Sequence, residues 1–229
     1  MANFGNFCLI FSLCLSLYAL IAALVGVSQR QPRIVRSAEH AAYSATGTIT
    51  LAFFSLVYLL LTNDFSVTHV ASTSNRALPV FYKVAAVWGG HDGSMLLWVF
   101  VASIFSGLAI YQNRRRYRDM MPYVLAVLMV NLSFFLFLNL FFSNPFQRLA
   151  EVFADGRARP FLPADGQGLN PILQHWAMVI HPPVQYLGFI GFVVPFAFAI
   201  AALCSLDKRL VYIYCRVSQN PIESSRSLY

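Results

Sequence analysis

Five long apolar stretches, near residues 7–27, 42–62, 94–112, 122–142 and 183–205, alternate with polar connections along this 229-residue chain. A helix needs about 20 apolar residues to cross a hydrocarbon core of ~30 Å. Each stretch has roughly that length, and none has a charged residue at its centre. The pattern predicts an all-α fold, a polytopic membrane helix bundle with about five transmembrane helices. Two connections are short and two are long, 63–93 and 143–182. The first stretch is read as a retained helix and not a cleaved leader: it lacks a basic n-region, and Gln29-Arg30-Gln31-Pro32-Arg33 follows it in place of a small-residue cleavage site. A composition of 58% hydrophobic, 15% aromatic and 11% charged residues fits the same class.

Charge then gives the stretches a direction. Arg30, Arg33 and Arg36 follow the first, Arg114, Arg115, Arg116 and Arg118 the third, and Lys208, Arg209, Arg216 and Arg226 the fifth, so most of the basic residues fall on one side. Short basic connections mark the cytoplasmic face. The amino terminus and both long loops are therefore expected outside, with any binding site among those loops. The net charge of +7 reads as an orientation and anionic-lipid signal, and no nucleic-acid partner is expected.

Cysteine spacing excludes several chemistries. Cys8, Cys14, Cys204 and Cys215 form no Cys-x-x-Cys pair and no Cys-x-x-Cys-His haem attachment site, so the chain is neither a thiol oxidoreductase nor a c-type cytochrome. Their expected role is apolar packing. Among the histidines, His40 sits at the inner end of the second helix, while His69, His91, His175 and His181 fall in or beside the outer loops. His69 and His175 are expected to be solvated polar groups.

His181-Pro182-Pro183 stands where the last outer loop meets the fifth apolar stretch. A residue before proline is pushed toward extended backbone, and proline is well placed in a first helical turn. The motif is thus expected to start the fifth helix and to hold His181 rigidly at its mouth. That suits an axial ligand, and it suits equally a stiff helix start with no chemistry. Trp88-Gly89-Gly90-His91-Asp92-Gly93-Ser94 precedes the third stretch. Its glycines permit a tight turn or a close approach, and Asp92 or Ser94 could cap the helix that follows. A capped turn without chemistry is one reading. The other is a site for a flat, apolar, anionic macrocycle such as haem, with imidazole for the iron, aromatic rings including Trp176 for the plane, and Arg76 or Lys83 for the propionates. In the fifth stretch, Gly188 and Gly191 at helical spacing would allow close helix packing, and Pro195 would bend the helix.

Asn63-Asp64-Phe65-Ser66-Val67, Leu78-Pro79-Val80-Phe81-Tyr82-Lys83-Val84-Ala85, Trp88 to Trp98, Ser143-Asn144-Pro145-Phe146, Leu169-Asn170-Pro171-Ile172-Leu173-Gln174 and His181-Pro182-Pro183 occur in this order. Together they resemble the amino-terminal part of the CcmF and NrfE family, haem lyase subunits of cytochrome c maturation. The resemblance covers residues 1–207; residues 208–229 form a divergent basic and polar cytoplasmic tail. It implies a multi-pass protein of the bacterial inner membrane whose functional loops face the periplasm. Haem b would arrive from a CcmE-type chaperone, and a CcmH-type partner would present the apocytochrome c. The thiols of its Cys-x-x-Cys-His then add to the haem vinyl groups.

By the same resemblance His181 is a haem axial ligand, and Trp88, His91, Asp92 and Trp176 shape the haem site; no catalytic side chain is implied. Asp92 replaces the family's usual Glu, and His175 stands where many members have Asp. The family's tryptophan-rich segment, its second outer histidine and the two intramembrane histidines that hold a resident haem b have no counterpart in these 229 residues. A split protein, completed by a carboxy-terminal CcmF-like fragment, or a product cut short by a frameshift would account for that. Two other classes stay open: a non-catalytic scaffold of the maturation complex, and a transporter subunit, although the spans hold only hydroxyls, Asn131 and Asn139 where a transporter would carry charges or breaks.

Overall fold

In the computed structural model, residues 1–152 and 158–205 are described. Five helices are long and apolar enough to cross a membrane: α1 (Ala2–Ser28), α2 (Pro32–Leu61), α5 (His91–Asn113), α6 (Met121–Phe141) and α7, which begins at Trp176 and continues to Ser205 with an interruption at Phe192. Two short helices, α3 (Thr68–Thr73) and α4 (Val80–Ala85), lie in the connection between α2 and α5, and a 3-10 turn over Ala86–Trp88 follows α4. The second long connection holds a short antiparallel hairpin, β1 (Ala150–Val152) with β2 (Ala158–Pro160), and a 3-10 turn over Pro171–Gln174. Extended chain thus occurs outside the spans of an otherwise helical fold. The basic tail expected from residue 208 lies outside the described residues.

Helix ends follow from local chemistry. Arg30 closes α1 and Asn63 closes α2 with positive φ, 53° and 55°. At α1, Gln31 N–H reaches the Gly26 carbonyl and Arg30 N–H the Val27 carbonyl; at α2, Asp64 N–H reaches Leu59 and Asn63 N–H reaches Leu60. Both ends are Schellman closures, which satisfy carbonyls that a helix terminus leaves open. Pro32 starts α2 and Pro122 lies in the first turn of α6, where a missing amide hydrogen costs little.

α1 packs against α2 and α6, and α5 against α2, α6 and α7, so α7 leans on α5 at the edge of a four-helix bundle. Small residues line the α1–α2 seam: Ala19, Ala22, Ala23, Ala38, Ala41 and Ala42 are all buried. In lipid, such seams hold through close backbone approach and hydroxyl hydrogen bonds. Ser12 Oγ meets Thr48 Oγ1 at 2.6 Å across α1–α2, Ser133 Oγ donates to Ser16 Oγ at 2.8 Å across α6–α1, and Thr46 Oγ1 donates to the Ser103 carbonyl at 3.1 Å across α2–α5. Phe53 stacks on Phe100 at 4.4 Å.

The glycines of α7 do not make the expected close contact within the described residues. A Cβ on Gly188 would meet nothing within 4 Å, and one on Gly191 only the Phe105 ring at 3.8 Å. The interruption at Phe192 falls one turn before Pro195, as expected for a ring that removes the hydrogen bond to Gly191.

The two long connections knit into one layer at the end of the bundle opposite the basic turns. Thr68 N–H donates to the Gln147 carbonyl, Leu149 N–H to Ser66, Gln167 N–H to Ala71 and Gly168 N–H to Ser74. Asp165 Oδ1 accepts from the Arg76 and Gly166 amides, which hold its carboxyl below the usual carboxylate range. Asn144 accepts from Phe146 N–H and donates to Asn6, tying the α6 exit to the start of α1.

Candidate functional site at the loop end of the bundle

His181 does not start the fifth helix. α7 begins at Trp176, so His181, Pro182 and Pro183 lie in its second turn. The start is set by His175, whose Nδ1 accepts from the Ala177 amide at 3.3 Å as an N-cap; its ring also leans on Trp176 at 5.9 Å. His175 is exposed, but it is a cap as well as a solvated group. A side-chain cap makes a helix start earlier than apolar content alone suggests. The restraint on a residue before proline is overridden here, and His181 is helical and exposed.

Interior prolines have a consequence for the backbone. Pro182 and Pro183 carry no amide hydrogen, so the carbonyls of Met178 and Val179, four residues back, lose their helical donors. Val179 is buried, and its carbonyl accepts from Trp88 Nε1–H at 3.1 Å. One hydrogen bond thus joins the Trp88 motif to the residue two positions before His181, 91 residues away along the chain. About two turns further along α7, Trp98 packs between Tyr186 and Phe135 at ring separations of 5.4 and 5.5 Å, joining α5, α7 and α6.

The Trp88 to Ser94 segment is built around His69. Far from being solvated, His69 is 3% exposed. Its Nε2–H donates to the Ala86 carbonyl at 3.1 Å. Burial pushes its pKa below the ordinary histidine value, against the opposing pull of the Ala86 and Val87 carbonyls and the Asp92 charge. Its ring sits beneath Gly93: a Cβ there would lie 2.7 Å from His69 Nε2 and would collide with the Val87 carbonyl oxygen. Close approach, more than turn conformation, explains this glycine. Sequence reasoning missed His69, although the glycines at 90 and 93 were the available sign that something large comes close.

Other expectations for this segment change. The N-cap of α5 is Gly90 with no side-chain cap; Asp92 is already inside the first turn, where its charge favours the helix dipole, and Ser94 Oγ donates back to the Trp88 carbonyl at 3.1 Å. Asn139 of α6 donates to the Asp92 carbonyl at 3.3 Å. His91 is exposed at the head of α5. Lys83 is not free for an anionic ligand: it is 7% exposed, and its Nζ donates to Asn63 Oδ1 at 2.6 Å. Arg76 remains at the loop surface.

Trp88, His91, Asp92, Trp176 and His181 therefore share the loop end of the α5–α7 pair, where Trp88 is hydrogen-bonded to the α7 backbone. Trp176, Ile180, Val184 and Leu187 make an exposed apolar stripe along α7. Among the described residues no three His, Cys, Asp or Glu side chains converge to hold a metal ion. The arrangement suits a single axial imidazole offered beside an apolar surface, and the iron of a haem is compatible with that donor set.

The fold and site define a polytopic helical membrane protein with a histidine presented at its loop end. A family model described as cytochrome C assembly protein matches residues 88–226, beginning at Trp88 and running past position 207. The CcmF cytochrome c-type biogenesis protein of Escherichia coli is 40% identical over 220 residues, covering 96% of this chain and 32% of its own length. The Pseudomonas aeruginosa counterpart is 41% identical over 216 residues, 94% of this chain and 31% of its own length. A solved structure of the cytochrome c haem lyase CcmF aligns with a TM-score of 0.71 at 28% identity, covering 89% of this chain and 30% of that chain. The chain belongs to the cytochrome c assembly family and corresponds to a CcmF-type portion of it. It spans about a third of the length of the relatives it matches.

Proposed function

We propose that this chain is the amino-terminal, haem-handling part of a haem lyase, with His181 as an axial ligand to haem iron on the outer face of the inner membrane. The observation that carries the reading is the placement of His181: an exposed imidazole on a backbone braced by Trp88, beside the apolar stripe of α7. Haem b is here substrate. His181 would hold the iron, and Trp176 and the α7 stripe would cover part of the macrocycle face. Trp88, His91 and Asp92 would shape the edge of the site, and Arg76, exposed in the loop layer, would be a cation for the propionates. A haem chaperone of the CcmE type would deliver the haem, and a CcmH-type partner would present apocytochrome c. Each cysteine S–H of the apocytochrome adds across a vinyl C=C. Sulfur forms the thioether bond and the hydrogen goes to the second vinyl carbon, so the step needs no leaving group. The second axial ligand and the rest of the haem platform would come from CcmF-like sequence outside these 229 residues.

Orientation belongs to the same proposal: the basic turns inside, the loop layer and amino terminus outside. Absorption spectra of the purified chain, alone and with the complementary polypeptide, test the ligand assignment. His181→Ala is expected to abolish or shift the Soret and visible bands of the reconstituted pair. Bands identical to wild type would refute His181 as ligand and favour a membrane scaffold.

A further inference from the structure

The carbonyl of Val179 is an acceptor that α7 cannot satisfy by itself, because the residue four positions on is Pro183. Val179 is a buried residue, the bond to its carbonyl is part-buried, and the indole N–H of Trp88 supplies the donor at 3.1 Å. Two residues later comes His181. Trp88 is itself placed by short-range contacts. It ends the 3-10 turn over Ala86–Trp88, its carbonyl is held by Ser94 Oγ at 3.1 Å, and the first residue of that turn, Ala86, is held through its carbonyl by buried His69. His69 is buried against Gly90 and Gly93, where a Cβ would lie 3.2 Å from its Cε1 and 2.7 Å from its Nε2 respectively.

We infer that His69 and Trp88 are positioning residues for His181: they form a brace that runs from α3 through the 86–88 turn to the proline-opened turn of α7 and fixes the direction of its imidazole. Neither need touch the ligand of His181. This rests on the reading of His181 as a haem ligand. It adds a role for His69, and it explains why a Trp-Gly-Gly-His-Asp-Gly segment and a His-Pro-Pro segment occur in one protein. Each proline that opens the α7 ladder creates a need for an outside donor, and at Val179 the Trp88 segment supplies it.

Ferric haem titrated into the chain with its complementary polypeptide, in detergent, provides the test. Trp88→Phe keeps an aromatic side chain, smaller than the indole, and removes the N–H. It is expected to weaken haem retention about tenfold, equivalent to ~1.4 kcal/mol, and to broaden the low-spin signal as the imidazole loses its fixed direction. Pro183→Ala restores an amide hydrogen four residues after Val179, so the Trp88→Phe/Pro183→Ala double variant is expected to retain haem within about twofold of Pro183→Ala alone. Helix content by circular dichroism confirms that each variant is folded. A Trp88→Phe protein that binds haem like wild type would overturn the brace. So would a defect that Pro183→Ala leaves untouched, since a merely structural tryptophan would not be rescued by a backbone N–H on another helix. If His181→Ala binds haem with unchanged affinity and spectrum, the ligand reading itself falls and the brace falls with it. Loss of binding in His181→Ala together with an unaffected Trp88→Phe overturns the brace alone. His69→Gln, which keeps a side-chain N–H, is expected to retain more haem than His69→Leu; the reverse order counts against the brace.

Discussion

Adding one methyl group at Gly93 should destabilise the protein, whereas the same methyl at Gly47 should stabilise it. At Gly93 a Cβ collides with the Val87 carbonyl oxygen and lies 2.7 Å from His69 Nε2. The first obstacle is backbone in a fully buried residue and the second a buried ring, so rotamer changes cannot relieve the overlap with the carbonyl. Overpacking of this kind costs about 1–3 kcal/mol, and a backbone obstacle puts Gly93 near the top of that range. Alanine recovers about 1 kcal/mol of helix propensity in α5, leaving a net loss of roughly 2 kcal/mol. At Gly47, inside α2, nothing lies within 4 Å, so the propensity gain of about 0.5–1 kcal/mol stands alone. For a protein of this size each kcal/mol moves the midpoint by roughly 2–4 °C. Gly93→Ala is therefore expected to melt about 4–8 °C below wild type and Gly47→Ala about 1–4 °C above it. The assay is the apparent Tm in detergent, followed by circular dichroism at one scan rate because membrane proteins often unfold irreversibly. A Gly93→Ala protein that melts at or above wild type would refute the close seat of His69 under α5. A lowered Gly47→Ala midpoint would show that the open space beside α2 is filled in the assembled protein.

Asn63 does two things at once, holding a left-handed backbone and accepting from buried Lys83. Asn63→Gly keeps the first and loses a charged hydrogen bond worth about 1.5–3 kcal/mol, while Asn63→Ala also adds about 1–2 kcal/mol of left-handed strain. The expected order of midpoints is wild type, Gly, then Ala, and equal losses for the two would separate the backbone conformation from stability. His69 should make the loop layer acid-sensitive. Its folded pKa is depressed by burial, so its contribution is complete above the unfolded value of about 6.5 and is lost as pH falls through the lower folded value. The Ala86 and Val87 carbonyls and the Asp92 charge reduce this effect without reversing it. Amide hydrogen exchange across residues 67–93 is expected to accelerate on acidification more in wild type than in His69→Gln, and parallel profiles would remove His69 as the cause.

Much of the fold was legible because its determinants are local or compositional. All five spans show as apolar runs, since lipid tolerates nothing else at that length. The left-handed ends at Arg30 and Asn63 carry no glycine to announce them, and the short hairpin and the small helices of the loop layer had too few residues to give a periodic signal. The Trp88 and His181 segments stand out in the sequence, but their place in the helices is not legible there. His-Pro-Pro reads as a helix start because prolines prefer first turns, whereas it lies inside α7. The His175 cap begins the helix a turn and a half earlier, and Trp88 supplies the donor that Pro183 denies to the Val179 carbonyl.

By itself, the sequence determined that this chain spans a membrane about five times, that its basic residues gather in the short turns, and that its motifs match those of a cytochrome c assembly protein. Only the tertiary structure decided that His69 is buried, that Lys83 is spoken for by Asn63, and that Trp88 and Val179 share a hydrogen bond. The physical reason is the same in each case. Hydropathy and capping are summed along neighbouring residues, but whether a polar atom is satisfied depends on the atom that faces it, and here that atom lies 17, 20 or 91 residues away.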